Sequence, residues 1–596
     1  MPLLVVAVAW LAQGAVLRNG WVWDDAIVVR DDPTIARGLA AVPELLSGRW
    51  GGRTDDVGLF RPLVNATLAI EAEIHGLSSP FPFHLTNLFL HGAVAVLLLA
   101  ALNRLLPARP VVASTAALLF AAHPLHTGTV SWIVARGDLL AACFLLLAVL
   151  AWTRPRGLDP SAVLLAALAW FAALLSKEMA LGLPVVLLVI DVARLGGVGA
   201  ALRRRGVAYA ALLLPLAGWW WLRSGALDGF AMTSLNAPLA ARDPFERLLV
   251  GCGALARTAW KVLVPVGLTG DGMNDPVLAR GALLPPAYAV AALLVALAVV
   301  VPLVRRALGR AGAGDAALLL FVALSIPVLQ IVPLGAVFED RFAYVPSLAG
   351  LVLVGIGVER LVTARPFAIG PGVLAPVVCV VVLAAAVPAC WAVAGDWRDD
   401  ETFSRALLRA DPGHVRALTR LGRHLVVEAR GDREVAESLP VTPANRAVIG
   451  AHLASAAART AEAVRLLERA RSLPDGRRSA LVSWRLGDAY MALREPRYEA
   501  AEEAYRRVLE TKRVRVGPRR VPWNRVTDRT RVAAADRRDL AMLFWNRALA
   551  AEGIGESERA AGFTETAAEW YPEDARDPER YRYVRQAGVV VWRQLD

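Results

Sequence analysis

Two carboxylates, Asp24 and Asp25, follow directly on the first apolar segment in the run Trp21-Val22-Trp23-Asp24-Asp25. A carboxylate there can take a proton from a hydroxyl as a general base. Far along the chain, Glu339-Asp340-Arg341 opens another apolar segment. An arginine can grip a phosphate with two parallel N–H bonds while flanking acids fix its fork, and such a grip also stabilises charge growing on a departing phosphate. Lys177, in Ser176-Lys177-Glu178, and Arg61, in Phe60-Arg61-Pro62-Leu63, are further cations of the same kind. Between the two carboxylates the sequence slightly favours Asp25 and excludes neither. The plainer reading is that tandem acids beyond a helix end are solvated and that a charged turn such as Ser176-Lys177-Glu178 needs only water.

Polar side chains also stand inside apolar runs. His84, Asn87 and His91 are three and four residues apart and share one helical face, so they fit a site wall or acceptor-binding surface as well as plain hydrogen bonding between helices. His126 in His123-Pro124-Leu125-His126 and Tyr344 in Arg341-Phe342-Ala343-Tyr344 join that candidate wall with Glu178, Glu339 and Asp340. Arg136 and Asp138 are expected to pair with each other, with a structural role for Asp138. All four cysteines sit in apolar segments without metal-ligand spacing, so neither a disulfide framework nor a zinc site is indicated. Need for a divalent metal is left open by the sequence.

These groups need a membrane scaffold. The chain is 56% hydrophobic, with the apolar residues in long runs up to about Val393 and charge density rising beyond. A hydrocarbon core about 30 Å thick takes about 20 apolar helical residues to cross. Segments that meet or nearly meet this length are Leu3–Leu17, Leu85–Leu106, Ser131–Trp152, Val207–Leu222, Leu283–Val304, Ala316–Val332, Phe342–Val358 and Val373–Val393, with shorter runs at Val111–Ala122, Ala162–Leu175 and Met179–Val192. Leu3–Leu17 lacks a basic flank and a small-residue cleavage site, so it is read as a retained helix and not a signal peptide.

Arginine clusters orient the bundle, because short cytoplasmic loops carry the excess of Lys and Arg. With the amino terminus inside, Arg104 and Arg109, Arg154 and Arg156, Arg194 with Arg203 to Arg205, Arg305, Arg306 and Arg310, and Arg360 and Arg365 all face the cytoplasm. The alternation requires Leu248–Val266 to stay out of the crossing count. Its Arg257 and Lys261 lie on one helical face, which suits an interfacial or re-entrant helix. About eleven crossings follow, and the polar motifs converge on the external face, with a large external loop at 18–84. A transporter is disfavoured, since ionisable residues are scarce in mid-helix and no broken-helix pair repeats.

Domain 1–395 is therefore expected to be a membrane bundle, and 396–596 an external soluble domain of amphipathic helices. Trp484-Arg485-Leu486-Gly487-Asp488-Ala489-Tyr490, followed by Ala500 and Ala504-Tyr505, matches a tetratricopeptide pattern in which small residues let paired helices approach. The basic stretch Lys512–Arg531 is read as an insertion between repeats. Lysine occurs only at Lys177, Lys261 and Lys512, and the formal charge of +12 is carried almost wholly by arginine. That usage points to a GC-rich bacterial genome, with no nucleic-acid partner.

As an ordered set, Trp23-Asp24-Asp25, Phe60-Arg61-Pro62-Leu63, Phe83-His84 with Asn87 and His91, His123-Pro124 with His126-Thr127, Arg136 with Asp138-Leu139-Leu140-Ala141, Ser176-Lys177-Glu178, and Glu339 with Arg341, Tyr344, Pro346 and Ser347 resemble one family. It is the transmembrane and tetratricopeptide-repeat-containing O-mannosyltransferase-like proteins of the GT-C glycosyltransferase class. The resemblance covers about the first 395 residues. Gly128, where the family usually has an acid, and Asp340, where it usually has a small residue, depart from it. It implies an all-α fold: a polytopic GT-C-like bundle followed by a TPR-like domain. It further implies an inverting transfer of a sugar, mannose or a related hexose, from a polyprenyl-phosphate donor to a hydroxyl of an external protein, and the arginine-rich usage makes a bacterial inner membrane the expected location. Asp24 or Asp25 would be the base, and Arg341, helped by Arg61 or Lys177, would hold the donor phosphate. A lipid-borne donor also fits the lack of a nucleotide-sugar fingerprint. Competing expectations are transfer to an envelope glycan or lipid, and a non-catalytic anchor for a peptide-binding repeat domain.

Overall fold

The computed structural model describes residues 1–47, 59–155, 157–226, 239, 242–268, 270, 284–334, 336–364, 371–477, 479–511, 513–516, 519–526, 532, 534–570, 581–586 and 589–594. Parts of the expected external loop at 18–84, and of the insertion at 512–531, lie outside the described residues. The chain divides into two compact units, Met1–Phe403 and Ser404–Asp596.

The first unit is a bundle of helices: α1 (Pro2–Gln13), α2 (Pro62–His75), α3 (Phe81–Leu105), α4 (Pro110–Ala121), α5 (Arg136–Trp152), α6 (Pro160–Ser176), α7 (Leu183–Leu195), α8 (Val198–Ala211), α9 (Leu213–Ala226), α10 (Pro244–Leu263), α11 (Pro286–Ala307), α12 (Ala313–Ser325), α13 (Tyr344–Ala364) and α14 (Pro371–Asp396). Many open on proline, whose fixed φ suits the first turn and whose missing N–H costs nothing there. Asp159 and Asp243 cap α6 and α10 by accepting the free N–H groups of Ala162 and of Phe245 and Glu246. Among the described residues five helical stretches are long and apolar enough to cross a membrane: Phe81–Leu105, Ile133–Trp152, Pro286–Ala307, Asp340–Ala364 and Cys379–Asp396; shorter apolar ones add to them. The first unit is thus an integral-membrane bundle, and α13 packs at its centre against α4 and α12.

Three expectations need correction. Val207–Leu222 is not one regular helix, because the α-helical pattern is interrupted at Leu212 between α8 and α9, where the backbone stays right-handed and the Leu212 N–H reaches both the Ala208 and Tyr209 carbonyls. The segment Ala316–Val332 stays α-helical only to Ser325. Pro327 lies in the following 3-10 turn, and the buried Gln330 then takes a left-handed backbone with φ 58°. Its side chain braces the next loop, donating to the Ala336 carbonyl at 3.0 Å and accepting from the Leu334 N–H at 3.0 Å. Finally, the 18–84 segment is no plain loop, since α2 lies within it and packs on α6.

The second unit is built from helical hairpins: α15 (Val415–Ser438) with α16 (Arg446–Ser472), α17 (Ala480–Met491) with α18 (Tyr498–Thr511), and α19 (Ala534–Ile554) with α20 (Ser557–Trp570). Leu421, Leu467, Leu486, Tyr505, Leu540 and Phe544 belong to one core. Gly487 is required by close approach, since a Cβ there would fall 2.5 Å from the Tyr505 ring. Between α18 and α19 the basic insertion forms an antiparallel hairpin, β1 (Arg513–Val516) with β2 (Arg519–Pro522), and a second hairpin, β3 (Tyr581–Gln586) with β4 (Val589–Gln594), follows α20. The other regular elements among the described residues are helices.

Candidate active site

The acidic pair sits on a turn that the structure holds in an unusual conformation. Trp23 has φ 59°, a region an L-residue with a bulky side chain rarely adopts. Its N–H donates to the Asp400 carboxylate at 2.8 Å, and its ring meets Phe403 edge-on at 5.1 Å. Strain of this kind persists where surrounding contacts over-determine it. The turn separates the two carboxylates. Asp25 is fully buried and accepts the N–H groups of Val134 at 3.0 Å and Val22 at 3.3 Å, tying the turn to the start of α5. Burial pushes its carboxyl well above the usual carboxylate range; the two backbone donors pull the other way, and neighbouring Asp24 adds to the rise. Asp24 is only partly buried, and its charge acts on the Arg341 guanidinium.

Arg341 lies in the 3-10 turn that leads into α13. It pairs with Glu339, stacks over the Trp132 ring at 4.2 Å, and feels the charges of Asp138 and Asp24. Lys177, at the junction after α6, pairs with Asp138 of α5 and lies 6.0 Å from the Phe342 ring centre. Gly137 makes that junction possible, since a Cβ there would stand 3.0 Å from the Ser176 carbonyl. Burial lowers the Lys177 ammonium to about 8; Asp138 opposes this, while Arg61 and Arg341 reinforce it. Glu178 meets Arg61 at 3.2 Å and Arg223 at 3.9 Å. Its burial raises the carboxyl, but Arg61, Arg223 and Lys177 together hold it below its ordinary value. Asp24, Asp138, Glu178 and Glu339 thus face Arg61, Lys177, Arg223 and Arg341 in one interlocked cluster.

Asp340 stands at its edge, paired with Lys261 of α10, while Arg257 of the same helix stacks on Phe338 at 4.2 Å. A cavity of about 40 Å³ beside them is lined by Arg257, Thr258, Lys261, Glu339 and Asp340 among others. His123, in the turn after α4, reaches α10 too: its Nε2 donates to the Val262 carbonyl at 3.0 Å while its Nδ1 accepts from Leu125. Accepting at Nδ1 requires the neutral ring, and burial lowers that ring to about 4.

The remaining candidates are spent on holding helices together. His84 bonds the Gly20 carbonyl at 3.3 Å, His91 bonds the Tyr344 hydroxyl at 2.9 Å and the Ala121 carbonyl at 3.1 Å, and His126 bonds the Phe120 carbonyl at 2.8 Å and Ser347 Oγ at 2.9 Å. Asn87 donates to the Trp132 carbonyl at 3.2 Å and accepts from Arg136 Nε at 3.0 Å. All five side chains are buried. The expected Arg136–Asp138 pair does not form. Arg136 instead meets Glu71 of α2 at 2.6 Å and donates to the Phe83 carbonyl at 3.1 Å, which leaves Asp138 to Lys177. Removing one partner of such a buried pair costs about 3–5 kcal/mol.

Sequence reasoning passed over Glu71, Trp132, Arg223 and Asp400. Glu71 carried a signal, being an acid in a mostly apolar helix; a tryptophan stacking on an arginine more than two hundred residues distant carried none. Among the described residues no group of three or more His, Cys, Asp or Glu is placed to hold a metal ion.

Fold and site together define a membrane-embedded helical bundle with a compensated cluster of acids, arginines and a lysine gathered beside the Asp24 turn. No protein-family model matches the chain. The chain is similar to protein O-mannosyl-transferases: it is 24% identical to TMTC3 of Homo sapiens over 494 residues, 76% of this chain and 52% of that protein. Identity to TMTC1 of Homo sapiens is 30% over 210 residues, 32% of this chain and 23% of that protein, and to Tmtc1 of Drosophila melanogaster 34% over 181 residues, 29% and 21%. The chain spans about half or less of the length of these relatives. Among solved structures, that of ArnT from Cupriavidus metallidurans bound to undecaprenyl phosphate is 14% identical with a TM-score of 0.35, over 74% of this chain and 80% of that one. The resemblance read from the motifs is the one these relatives bear out.

Proposed function

We propose that the protein is an integral-membrane glycosyltransferase that moves a hexose, mannose by analogy with its relatives, from a polyprenyl-phosphate donor to a hydroxyl of a protein outside the cytoplasm. The observation that carries this reading is the Arg341 guanidinium, paired with Glu339 and stacked over Trp132, in a cluster that the charge of the partly buried Asp24 also reaches. In this mechanism Asp24 takes the proton of the acceptor hydroxyl, whose oxygen attacks the anomeric carbon. The carbon–phosphate-oxygen bond breaks on the opposite face, so the configuration inverts. Arg341 takes up the charge that develops on the leaving lipid phosphate, with Lys177 and Arg61 beside it. Asp25 positions the turn through its two backbone bonds. The hairpins of the second unit are assigned as TPR-like repeats that offer a surface to the acceptor peptide, on the external side of a bacterial inner membrane.

Incubating the purified chain with a panel of polyprenyl-phosphate sugars and a Ser/Thr-containing acceptor protein tests the proposal. Free polyprenyl phosphate and a glycosylated protein are the expected products. Transfer to a glycan or lipid alone would replace the acceptor assignment, and no turnover of any donor would favour the anchoring role.

Lys177 gives the reaction a pH signature. The ammonium is charged below about 8 and neutral above it, whereas a sugar phosphodiester stays anionic throughout. Donor KM is therefore expected to climb as pH rises through about 8, and Lys177→Arg, charged at every accessible pH, should flatten that climb. Stability moves oppositely: the unfolded chain keeps the proton up to the ordinary lysine value, so the fold gains stability as pH rises above about 8. A KM profile identical in the two proteins would remove Lys177 from the donor site.

A further inference from the structure

A second cavity lies away from the charged cluster. It encloses about 550 Å³, within the range of ligand pockets, and runs between α3, α5, α7, α11, α12 and α13. Its walls are almost wholly aliphatic, with Leu102, Val149, Val186 and Val352 among them. The exceptions sit at one end. Arg194 is in the last turn of α7, Arg306 in the last turn of α11, and Asp315 in the first turn of α12.

Their partners differ. Asp315 is bound by Arg305 at 3.0 Å and caps α12 by accepting the Gly312 N–H at 2.7 Å. Arg194 is exposed and Arg306 half-exposed, and neither makes an ion pair with a described residue. Two uncommitted guanidiniums therefore flank an apolar cavity inside a membrane bundle. Helix α7 fixes which end this is. Lys177 and Glu178 precede its first residue and Arg194 lies in its last turn, about 20 Å further along at 1.5 Å per residue. The arginines thus mark the end of the bundle remote from the cluster, among the basic loops that the charge alternation assigns to the cytoplasmic face.

We propose that this cavity is a binding site for an anionic diacyl phospholipid of the cytoplasmic leaflet, with its phosphate held by Arg194 and Arg306 and one acyl chain lying in the cavity. Chemistry selects that occupant. A water-soluble ligand has no path along apolar walls that face hydrocarbon, and a lipid without net negative charge leaves the two guanidiniums uncompensated, whereas anionic headgroups accumulate around such arginines. The site is independent of the transfer reaction, and its ligand differs from the donor in where the phosphate sits.

Native mass spectrometry of the full chain released from nanodiscs tests it. In bilayers of equal phosphatidylglycerol and phosphatidylcholine, the wild-type protein is expected to retain phosphatidylglycerol preferentially. The double variant Arg194→Ala/Arg306→Ala should lose that preference by roughly tenfold or more, from two charge-assisted bonds, and the double Lys variant should keep most of it. Ala317→Phe, which fills the cavity at a buried wall position, should lower retention of either lipid. Because both arginines are at the surface, their variants are informative even if the filling variant folds poorly. Equal retention of the two lipids by the wild type, or undiminished retention by the double Ala variant, overturns the proposal. Displacement of phosphatidylglycerol by an equal amount of undecaprenyl phosphate overturns the choice of ligand. Since the readout is lipid retention and not sugar transfer, an inactive enzyme that still selects the anionic lipid would sink the proposed reaction alone.

Discussion

Asp24→Asn is expected to lower sugar transfer by about 10²–10⁴-fold, the usual worth of a positioned general base, while the protein folds and binds donor almost as before. The amide keeps the size and placement of the carboxylate and removes only its capacity to take a proton. Asp24 is partly accessible and faces Arg341 electrostatically, so the position where an acceptor hydroxyl would approach is also where leaving-group charge is stabilised. Asp25→Asn should behave differently. Its oxygens receive the N–H groups of Val134 and Val22, and an amide turned either way presents a donor to one of them. The resulting loss is one of position: the Trp23 turn loosens, donor and acceptor KM both rise, and thermal stability falls together with activity. Transfer rates, donor binding and unfolding temperature measured on the two single variants decide between these roles. Near wild-type transfer by Asp24→Asn, with Asp25→Asn inactive yet fully stable, would hand the base to Asp25.

Much of this arrangement was legible in the chain because membrane energetics make polar residues conspicuous. A charged or hydrogen-bonding side chain in an apolar run must find a partner or a cavity, so Asp24, Arg61, Lys177, Glu178 and Arg341 declared themselves by type and by falling on one face of the orientation. The helices were legible for the same reason, long apolar runs having few other solutions. Pairing was not. Arg136 and Asp138 are two residues apart, which on a helix points them about 200° apart, so each found a partner on another helix: Glu71 on α2 and Lys177 after α6. The face shared by His84, Asn87 and His91 was real, but periodicity cannot tell a face that lines a cavity from one that meets neighbouring helices, and each side chain is consumed by carbonyls or by Arg136 and Tyr344. Nor does the dipeptide Asp24-Asp25 reveal which carboxylate is turned inward. That depends on the positive φ of Trp23 and on Asp400, almost four hundred residues away.

Arg341→Lys carries the other large effect, and it tests geometry with charge held constant. In the structure the guanidinium is flanked by Glu339 and lies over the Trp132 ring at 4.2 Å. A planar cation stacked on an indole offers its N–H edges outward, which is how an arginine meets two phosphate oxygens at once. An ammonium on a flexible four-carbon stem is a point charge that neither stacks as a plane nor forks, so it would sit against Glu339 and leave the developing phosphate charge poorly met. Loss of a group that stabilises the transition state is typically worth about 10²–10³ in kcat, and a fall of that size is expected for Arg341→Lys, with a smaller rise in donor KM because the ground-state phosphodiester bears only one charge. Trp132→Leu removes the platform and keeps the arginine; it should produce a milder version of the same split, kcat falling more than KM rises. Single-turnover transfer with saturating donor separates the two quantities. Should Arg341→Lys turn over donor like the wild type while Trp132→Leu is also silent, charge alone suffices at this position, and the phosphate would have to be held by Arg61 and Lys177.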